Sequence, residues 1–198
     1  MTEPQTPDHV PLTDEQIRAA IVGVEPSEYQ AIVLVDSDPA WPRLFEREEE
    51  RIRAALGDRA LRVEHAGSTS VPGLPAKPVI DIVLVVADSA DEDAYVPPLE
   101  AAGYVLRIRE PDWYEHRILK GPDTNVNMHV FSFGCEEIDR MVGFRDWLRE
   151  HEADRILYER KKRELAGQEW KFVQNYADAK TAVVEEIIAR ARPNDPAA

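Results

Sequence analysis

A short turn of small and hydroxyl-bearing residues comes just before an acid on an apolar segment. The turn consists of Gly67, Ser68, Thr69 and Ser70. Asp81 lies near the start of the apolar run 79–86. Backbone N–H groups of such a turn can approach a phosphate closely, and a nearby carboxylate can hold a divalent cation against it. The spacing therefore predicts a phosphate-binding turn with Asp81 as a metal ligand and catalytic residue.

Two histidines lie at positions where strands are expected. His65 ends the segment before the turn, and His129 lies in a later β-prone segment. If their faces meet that of Asp81, the three side chains form a 2-His-1-carboxylate metal site, with His129 also available for acid–base chemistry. One Mg²⁺ or Mn²⁺ ion, or alternatively Zn²⁺, would suit this set. The alternative is that backbone carbonyls satisfy each histidine.

Basic residues supply candidate partners for phosphate charge. Lys77 lies between the turn and Asp81, where its ammonium could stabilise a transition state. Arg109 and Arg117 lie on neighbouring strand candidates and could bind phosphate through two N–H groups each. The alternative is that these residues are solvated or paired with the many acids. The same alternative is favoured for five residues of the C-terminal helices, Tyr158, Lys161, Lys162, Tyr176 and Lys180.

Composition excludes several classes of partner. The formal net charge of −14 disfavours binding to long nucleic acids, which requires surplus lysine and arginine. Cys135 is the single cysteine, so neither an internal disulfide nor a cysteine-based metal site can form. The N-terminus lacks a signal-peptide pattern, and no apolar run reaches about 18 residues. We expect a cytoplasmic protein with a small nucleotide or phosphate ligand and no membrane partner. The sequence leaves its oligomeric state open.

The surrounding pattern predicts the elements that position these residues. Thr13 and Gln16 form a capping box for a first helix that extends to about Val22, and Trp41–Leu56 carries an amphipathic stripe. Strands are expected at 32–35, 61–65, 79–86, 103–109, 116–120 and 126–133. Further helices are expected at 90–102, 136–150, 152–166 and 170–191. This order indicates an α+β fold with a mixed β-sheet.

The chain divides into three predicted regions. Residues 1–22 form a tail and a helix, and residues 23–135 form the α/β core. Residues 136–192 form a helical region packed on that core. Prolines at three positions before residue 12 favour an irregular N-terminal tail.

Ordered motifs across the chain resemble the GrpB family. They are DPAWP at 38–42, EHAGSTSVPGL at 64–74, AKPVIDI at 76–82, NMHVF at 127–131 and FRDWLR at 144–149. The resemblance covers about residues 32–190. It implies a nucleotidyltransferase-like core of the polymerase-beta type, in which a Gly-Ser turn follows the first strand and acids on the next strand bind Mg²⁺. GrpB-like domains also occur fused to dephospho-CoA kinase, and the family has no established substrate.

One position departs from that superfamily pattern. In that pattern, two acids lie two residues apart on the central strand. They share one face of the sheet, so both can bind a pair of metal ions. Here Val83 follows Asp81 at that spacing, and Asn127 and His129 occupy the region of the third acid. Three hypotheses follow: a metal-dependent nucleotidyl or phosphoryl transferase acting on a small nucleotide, a nucleotide- or phosphate-binding module without catalysis, or an accessory domain linked to CoA biosynthesis.

Overall fold

A five-stranded mixed sheet forms the centre of the molecule. The structure, a computed structural model, describes residues 11–191. The strands are β1 Arg62–Ala66, β2 Ile80–Val86, β3 Val105–Glu110, β4 His116–Lys120 and β5 Val126–Ser132. Their order is β1-β2-β5-β4-β3, in which β2 and β5 are parallel and the other neighbours are antiparallel. The predicted α+β class with a mixed sheet is confirmed.

Helices surround the sheet and form the C-terminal part of the chain. They are α1 Asp14–Ala19, α2 Trp41–Leu56, α3 Val96–Ala101, α4 Glu136–Glu150, α5 Glu152–Ala166, α6 Val173–Asp178 and α7 Thr181–Ala191. The predicted capping box at Thr13 and Gln16 begins α1. Short 3-10 turns occur at Gly57–Arg59, Ser68–Ser70 and Glu92–Ala94. Within the described 11–191, no helix is long and apolar enough to cross a membrane.

The central strand β2 is apolar on both faces because helices cover both. On one face, Ile82 and Leu84 belong to the core cluster that contains Ile52 of α2. On the other face, Val83 packs in a cluster with Ile138 of α4. Side chains alternate along a strand, so a strand covered on both faces must be apolar at successive positions. The polar Asp81 therefore stands out at the start of this strand.

Three sequence-based elements differ from the structure. Residues 32–35 form one isolated bridge at Val35, because Ile32 is buried beside α5 and α6 instead of in the sheet. The predicted helix 90–102 is a 3-10 turn followed by α3, whose first turn holds the prolines, which lack an N–H donor. The predicted helix 170–191 is divided into α6 and α7. Most of the predicted N-terminal tail lies outside the described residues.

Gly67 brings the turn into direct contact with the central strand. Its φ is +64°, in the region that favours glycine. A Cβ atom at this position would lie 2.2 Å from Asp81 Oδ2, which is far closer than any real contact. Only glycine therefore lets the turn approach the carboxylate this closely.

Replacing Gly67 by alanine tests this contact. We expect Gly67→Ala to lower the free energy of unfolding by about 1–2 kcal/mol for the left-handed backbone, plus roughly 1–3 kcal/mol for the overlap with Asp81. Urea denaturation of the wild type and the variant measures the total loss. Gly73→Ala is the matched control, because Gly73 has φ +78° and a methyl group added there would meet no atom within 4 Å. Equal losses in the two variants would contradict the close contact between Gly67 and Asp81.

Candidate anion-binding site

The hydroxyl groups of the turn have different roles. Thr69 Oγ1 donates to the carbonyl of Val79 at 3.1 Å, and Ser70 Oγ donates to the carbonyl of Gly67 at 2.6 Å. Both hydroxyls therefore hold the turn in shape. Ser68 instead lines a cavity beside the turn, together with Gly67. Of the four predicted phosphate-binding residues, Gly67 and Ser68 are the two placed to meet a ligand there.

Two arginines of α4 fix the turn from outside. Arg145 is buried and donates to the carbonyl of His65 at 2.9 Å and to Glu64 at 2.7 Å. Arg149 donates to the carbonyl of Ser70 at 2.9 Å. These bonds join the backbone on both sides of the turn to one helix. The position of Ser68 is thereby set by α4 as well as by the sheet.

His65 lies on the sheet face opposite Asp81. It is in register with Ile82, stacks on Phe45 at 4.8 Å between ring centroids, and its Nε2 lies 3.1 Å from Thr69 Oγ1. The Thr69 hydroxyl already donates its proton elsewhere, so His65 Nε2 carries the proton of this contact. Burial lowers the pKa of His65 to about 4, which keeps the ring neutral at pH 7. The predicted set of His65, His129 and Asp81 is therefore not brought together.

Asp81 and His129 do lie on one face, in adjacent strands. Asn127 donates to Asp81 Oδ1 at 2.9 Å, and His129 Nε2 is 3.9 Å from the same oxygen. The second distance is an ion-pair contact, too long for a hydrogen bond. Burial raises the pKa of Asp81, but His129, Asn127 and the charge of Lys77 outweigh it, so the pKa is lowered overall. Asp81 is therefore a carboxylate at neutral pH.

A chain of hydrogen bonds orients His129. His116 Nδ1 donates to Glu110 Oε2 at 2.7 Å, and His116 Nε2 lies 3.0 Å from His129 Nδ1. Burial lowers the pKa of His116 to about 4, so its neutral ring accepts at Nε2 from His129 Nδ1. The Nε2 atom of His129 is thereby directed towards Asp81. Sequence reasoning misses His116, although it directly precedes the candidate residue Arg117 on the same predicted strand.

The donor set does not fit a metal ion held by the protein alone. Across residues 11–191, no group of three or more histidine, cysteine, aspartate or glutamate side chains is arranged as a metal site. Asp81 and His129 remain as a pair, and the charge of Asp81 already acts on the ammonium groups of Lys77, Lys120 and Lys180. Those positive charges oppose a bound cation. The predicted Mg²⁺, Mn²⁺ or Zn²⁺ ion therefore has too few ligands here.

The two predicted phosphate-binding arginines are ion-paired. Arg109 donates to both carboxylate oxygens of Glu92 at 2.6 Å, and Arg117 donates to Glu92 Oε1 at 2.5 Å. Arg117 also pairs with Glu115 at 3.1 Å. Arg109 and Arg117 hold the pKa of Glu92 down to about 2, against its partial burial. Neither arginine is among the described residues that line the cavity beside the turn.

Three lysines lie close to the turn and the cavity instead, and of these Lys180 lines the cavity. Lys162 is buried, and its Nζ donates to Ser68 Oγ at 3.1 Å and to the carbonyl of Pro75. Lys77 and Lys180 lie over the ring of Tyr176, at 5.7 and 4.7 Å. Lys162 lies 5.0 Å from the ring of Tyr158. The sequence signal for these contacts is the i, i+4 spacing of tyrosine and lysine on α5 and before α7, a pattern that by itself favours a solvated surface.

This cluster concentrates positive charge in an acidic chain. With Lys120, which interacts with both Lys77 and Asp81, it contains four of the six lysines, although the net charge of the chain is −14. The carboxylates that act on these four lysines are Asp81, Asp178 and Glu159, and Glu159 is ion-paired with Arg163. Burial and the neighbouring Lys180 lower the pKa of Lys162 to about 7. Asp81 is therefore shared by the ammonium groups of three lysines, Lys77, Lys120 and Lys180.

The cavity has the size of a small-molecule site. Its volume is about 310 Å³, near the lower end of the range of roughly 300–1,000 Å³ for ligand pockets. Gly67, Ser68, Asp81 and Lys180 line one part of it. The remaining lining residues come from α4, α5, α6 and α7, together with Val71. A ligand there would contact both the sheet and the helical region.

Comparison with known proteins gives the family. Residues 31–190 match the family described as GrpB protein, which is most of the chain. The chain belongs to the GrpB family. This assignment confirms the resemblance found in the sequence and is consistent with the nucleotidyltransferase superfamily.

Two curated relatives and one solved structure match most of this chain. A UPF0157 protein of Halalkalibacterium halodurans is 61% identical over 181 residues, which span 91% of this chain and 93% of that protein. A UPF0157 protein of Streptomyces coelicolor is 46% identical, spanning 81% of this chain and 84% of that protein. The crystal structure of the conserved protein GrpB from Enterococcus faecalis is 32% identical with a TM-score of 0.69, covering 80% of this chain and 96% of that one.

A shorter match involves an enzyme of known name. The dephospho-CoA kinase of Mycolicibacterium paratuberculosis is 51% identical over 74 residues. This stretch is 36% of this chain and 18% of the kinase. The similarity therefore covers a minor part of both proteins.

The buried amine of Lys162 gives a pH prediction. The unfolded chain holds this proton up to about 10.5, whereas the folded chain releases it near 7. Between these values the unfolded state binds more protons, so stability rises with pH. Relative to Lys162→Met, the wild-type free energy of unfolding should rise by up to about 1.4 kcal/mol per pH unit from pH 7 towards 10.

Urea denaturation at several pH values measures this slope. Lys161→Met is the control, because the neighbouring Lys161 is partly exposed and pairs with Glu164 at 2.8 Å. The control should follow the wild-type slope. If the free energy of unfolding changes with pH in the same way for wild type and Lys162→Met, the burial of a neutral amine at this position is contradicted.

Proposed function

We propose that the protein binds the phosphate group of a small molecule in the cavity between the turn and the C-terminal helices. The observation that carries the proposal is the lysine cluster around Ser68 and Asp81. Burying several ammonium groups near one another is unfavourable unless an anion compensates them. A phosphate accepts several charge-assisted hydrogen bonds at once, so it suits this surplus better than a single carboxylate.

The turn supports the same proposal. Gly67 allows a close backbone approach, and Ser68 places a hydroxyl at the cavity wall within 3.1 Å of Lys162 Nζ. The segment Ser68–Ser70 is a 3-10 turn, held by Ser70 and by arginines of α4. A turn fixed in this way has little conformational entropy to lose when it binds an anion. The phosphate would therefore contact Ser68 first, with Lys180 facing it across the cavity.

Phosphoryl or nucleotidyl transfer is a second candidate function. The favouring observation is His129, whose Nε2 is 3.9 Å from Asp81 and whose Nδ1 is held through His116. Such a nitrogen can accept a proton from an attacking hydroxyl. A metal-dependent version is the weaker proposal, because Val83 replaces a second acid and the donor pair is incomplete. An accessory role beside CoA biosynthesis is supported only by the 74-residue match to dephospho-CoA kinase.

A binding experiment tests the phosphate proposal. Inorganic phosphate and pyrophosphate are titrated calorimetrically into the protein at pH 7 with EDTA present. We expect binding that weakens as ionic strength rises, because the contacts are charged. Lys180→Gln should weaken it by roughly 10- to 100-fold, the usual effect of losing a hydrogen bond to a charged group.

Lys171→Gln is the matched control for this titration. Lys171 pairs with Asp14 at the surface and does not line the cavity. Its substitution should leave the affinity unchanged. Equal affinity of wild type and Lys180→Gln, or no heat of binding with either anion, would refute the proposed site.

A further inference from the structure

The cavity beside the turn has one charged part and one apolar part. Lys180, Val184 and Ile188 all line it, and their spacing of four residues places them on one face of α7 and its N-terminal extension. Eight residues of helix span about 12 Å, so Ile188 lies roughly that far along the helix from Lys180. The lining therefore changes from an ammonium group to aliphatic side chains along a single stripe.

The facing helix continues the apolar part. Met141, Phe144 and Leu148 of α4 line the same cavity at spacings of three and four residues, as one helix face requires. Arg140 of α4 donates to Glu185 of α7, which joins the two helices next to this lining. The apolar lining residues of α4 and α7 present carbon and thioether atoms and no strong hydrogen-bond donor.

The two arginines at the wall are already neutralised. Arg140 pairs with Glu137 at 2.9 Å and with Glu185. Arg145 pairs with Glu64 at 2.7 Å and with Asp146 at 2.8 Å. Neither guanidinium is available to recognise a second charged group of a ligand. Free positive charge in the cavity therefore remains on the lysine side, next to Ser68.

We propose that the ligand is a phosphate monoester of an apolar alcohol, with its phosphate at Ser68 and Lys180 and its hydrocarbon group between α4 and α7. This inference rests on the proposed phosphate-binding function and names its substrate class. Each buried methylene group strengthens binding, whereas the ring nitrogens and amino groups of a nucleobase would be buried without partners. The lining thus favours a hydrocarbon chain over a nucleoside.

Alkyl phosphates of increasing length test the substrate class. The titrants are inorganic phosphate, methyl, ethyl and butyl phosphate, with adenosine monophosphate for comparison. We expect affinity to rise by about fourfold per added methylene, the factor that corresponds to full burial of each group. Butyl phosphate should therefore bind tens of times more tightly than methyl phosphate, and more tightly than adenosine monophosphate.

A variant locates the chain-length effect in the cavity. Val184→Thr keeps the side-chain shape but replaces one methyl group of the apolar stripe by a hydroxyl. It should weaken the binding of butyl phosphate several-fold and leave the binding of inorganic phosphate unchanged. Val173→Thr is the control, because Val173 is exposed on α6 and does not line the cavity. Thermal melting of each variant establishes that it is folded.

The possible outcomes separate the two proposals. The apolar substrate class is wrong if inorganic phosphate binds but affinity does not change with alkyl chain length. It is also wrong if adenosine monophosphate binds most tightly. In both cases the phosphate site itself stands. If Val184→Thr and Val173→Thr behave alike, the hydrocarbon group lies elsewhere and the inference is overturned. If neither phosphate nor any ester binds, the proposed function itself is wrong.

Discussion

The contact between the turn and the central strand determines how Ser68, Asp81 and the cavity beside them lie relative to one another. Gly67 has no Cβ, and its backbone meets the carboxylate of Asp81 at a distance that no side chain would permit. Because β2 is buried on both faces beyond this point, Asp81 is the position at which the strand can carry a charge. The turn, the carboxylate and the cavity are therefore parts of one local arrangement.

Electrostatics then gives this arrangement its chemical character. The chain as a whole carries a net charge of −14, yet the ammonium groups of three lysines interact with Asp81. An acidic surface repels long nucleic acids, while a recessed positive site still attracts a small anion. The surface arginines are largely ion-paired and do not add to this field, as the bridge from Arg109 and Arg117 to Glu92 shows. The proposed selectivity for anions depends on lysines that the helices bring together.

Part of this could be predicted from the sequence. The strands and the long helices follow from apolar periodicity, and the ordered motifs indicate the family. The small-residue turn and the isolated Asp81 also stand out, because they interrupt those patterns. The grouping of His65 with Asp81 fails because alternation alone does not tell which face of β1 meets which face of β2. The register places His65 opposite Ile82 and not beside Asp81.

The lysine cluster could not be predicted, because it depends on tertiary packing. Lys162 and Lys180 are distant from Ser68 in the chain, and a charged residue on a helix is usually solvated. Only the packing of α5 and α7 against the turn places them at the cavity. Likewise, Arg109 and Arg117 look available in the sequence, but the segment Glu92–Ala94 brings a carboxylate to both. Pairing partners that are far apart in sequence decide which charges remain free.

Anomalous diffraction from crystals soaked in tungstate tests the central claim most directly, because this heavy tetrahedral oxyanion replaces phosphate and can be located without ambiguity. We expect a tungsten peak inside the cavity, bounded by Ser68, Lys180 and Lys162. Peaks confined to exposed arginines, with none in the cavity, would contradict the proposed anion site.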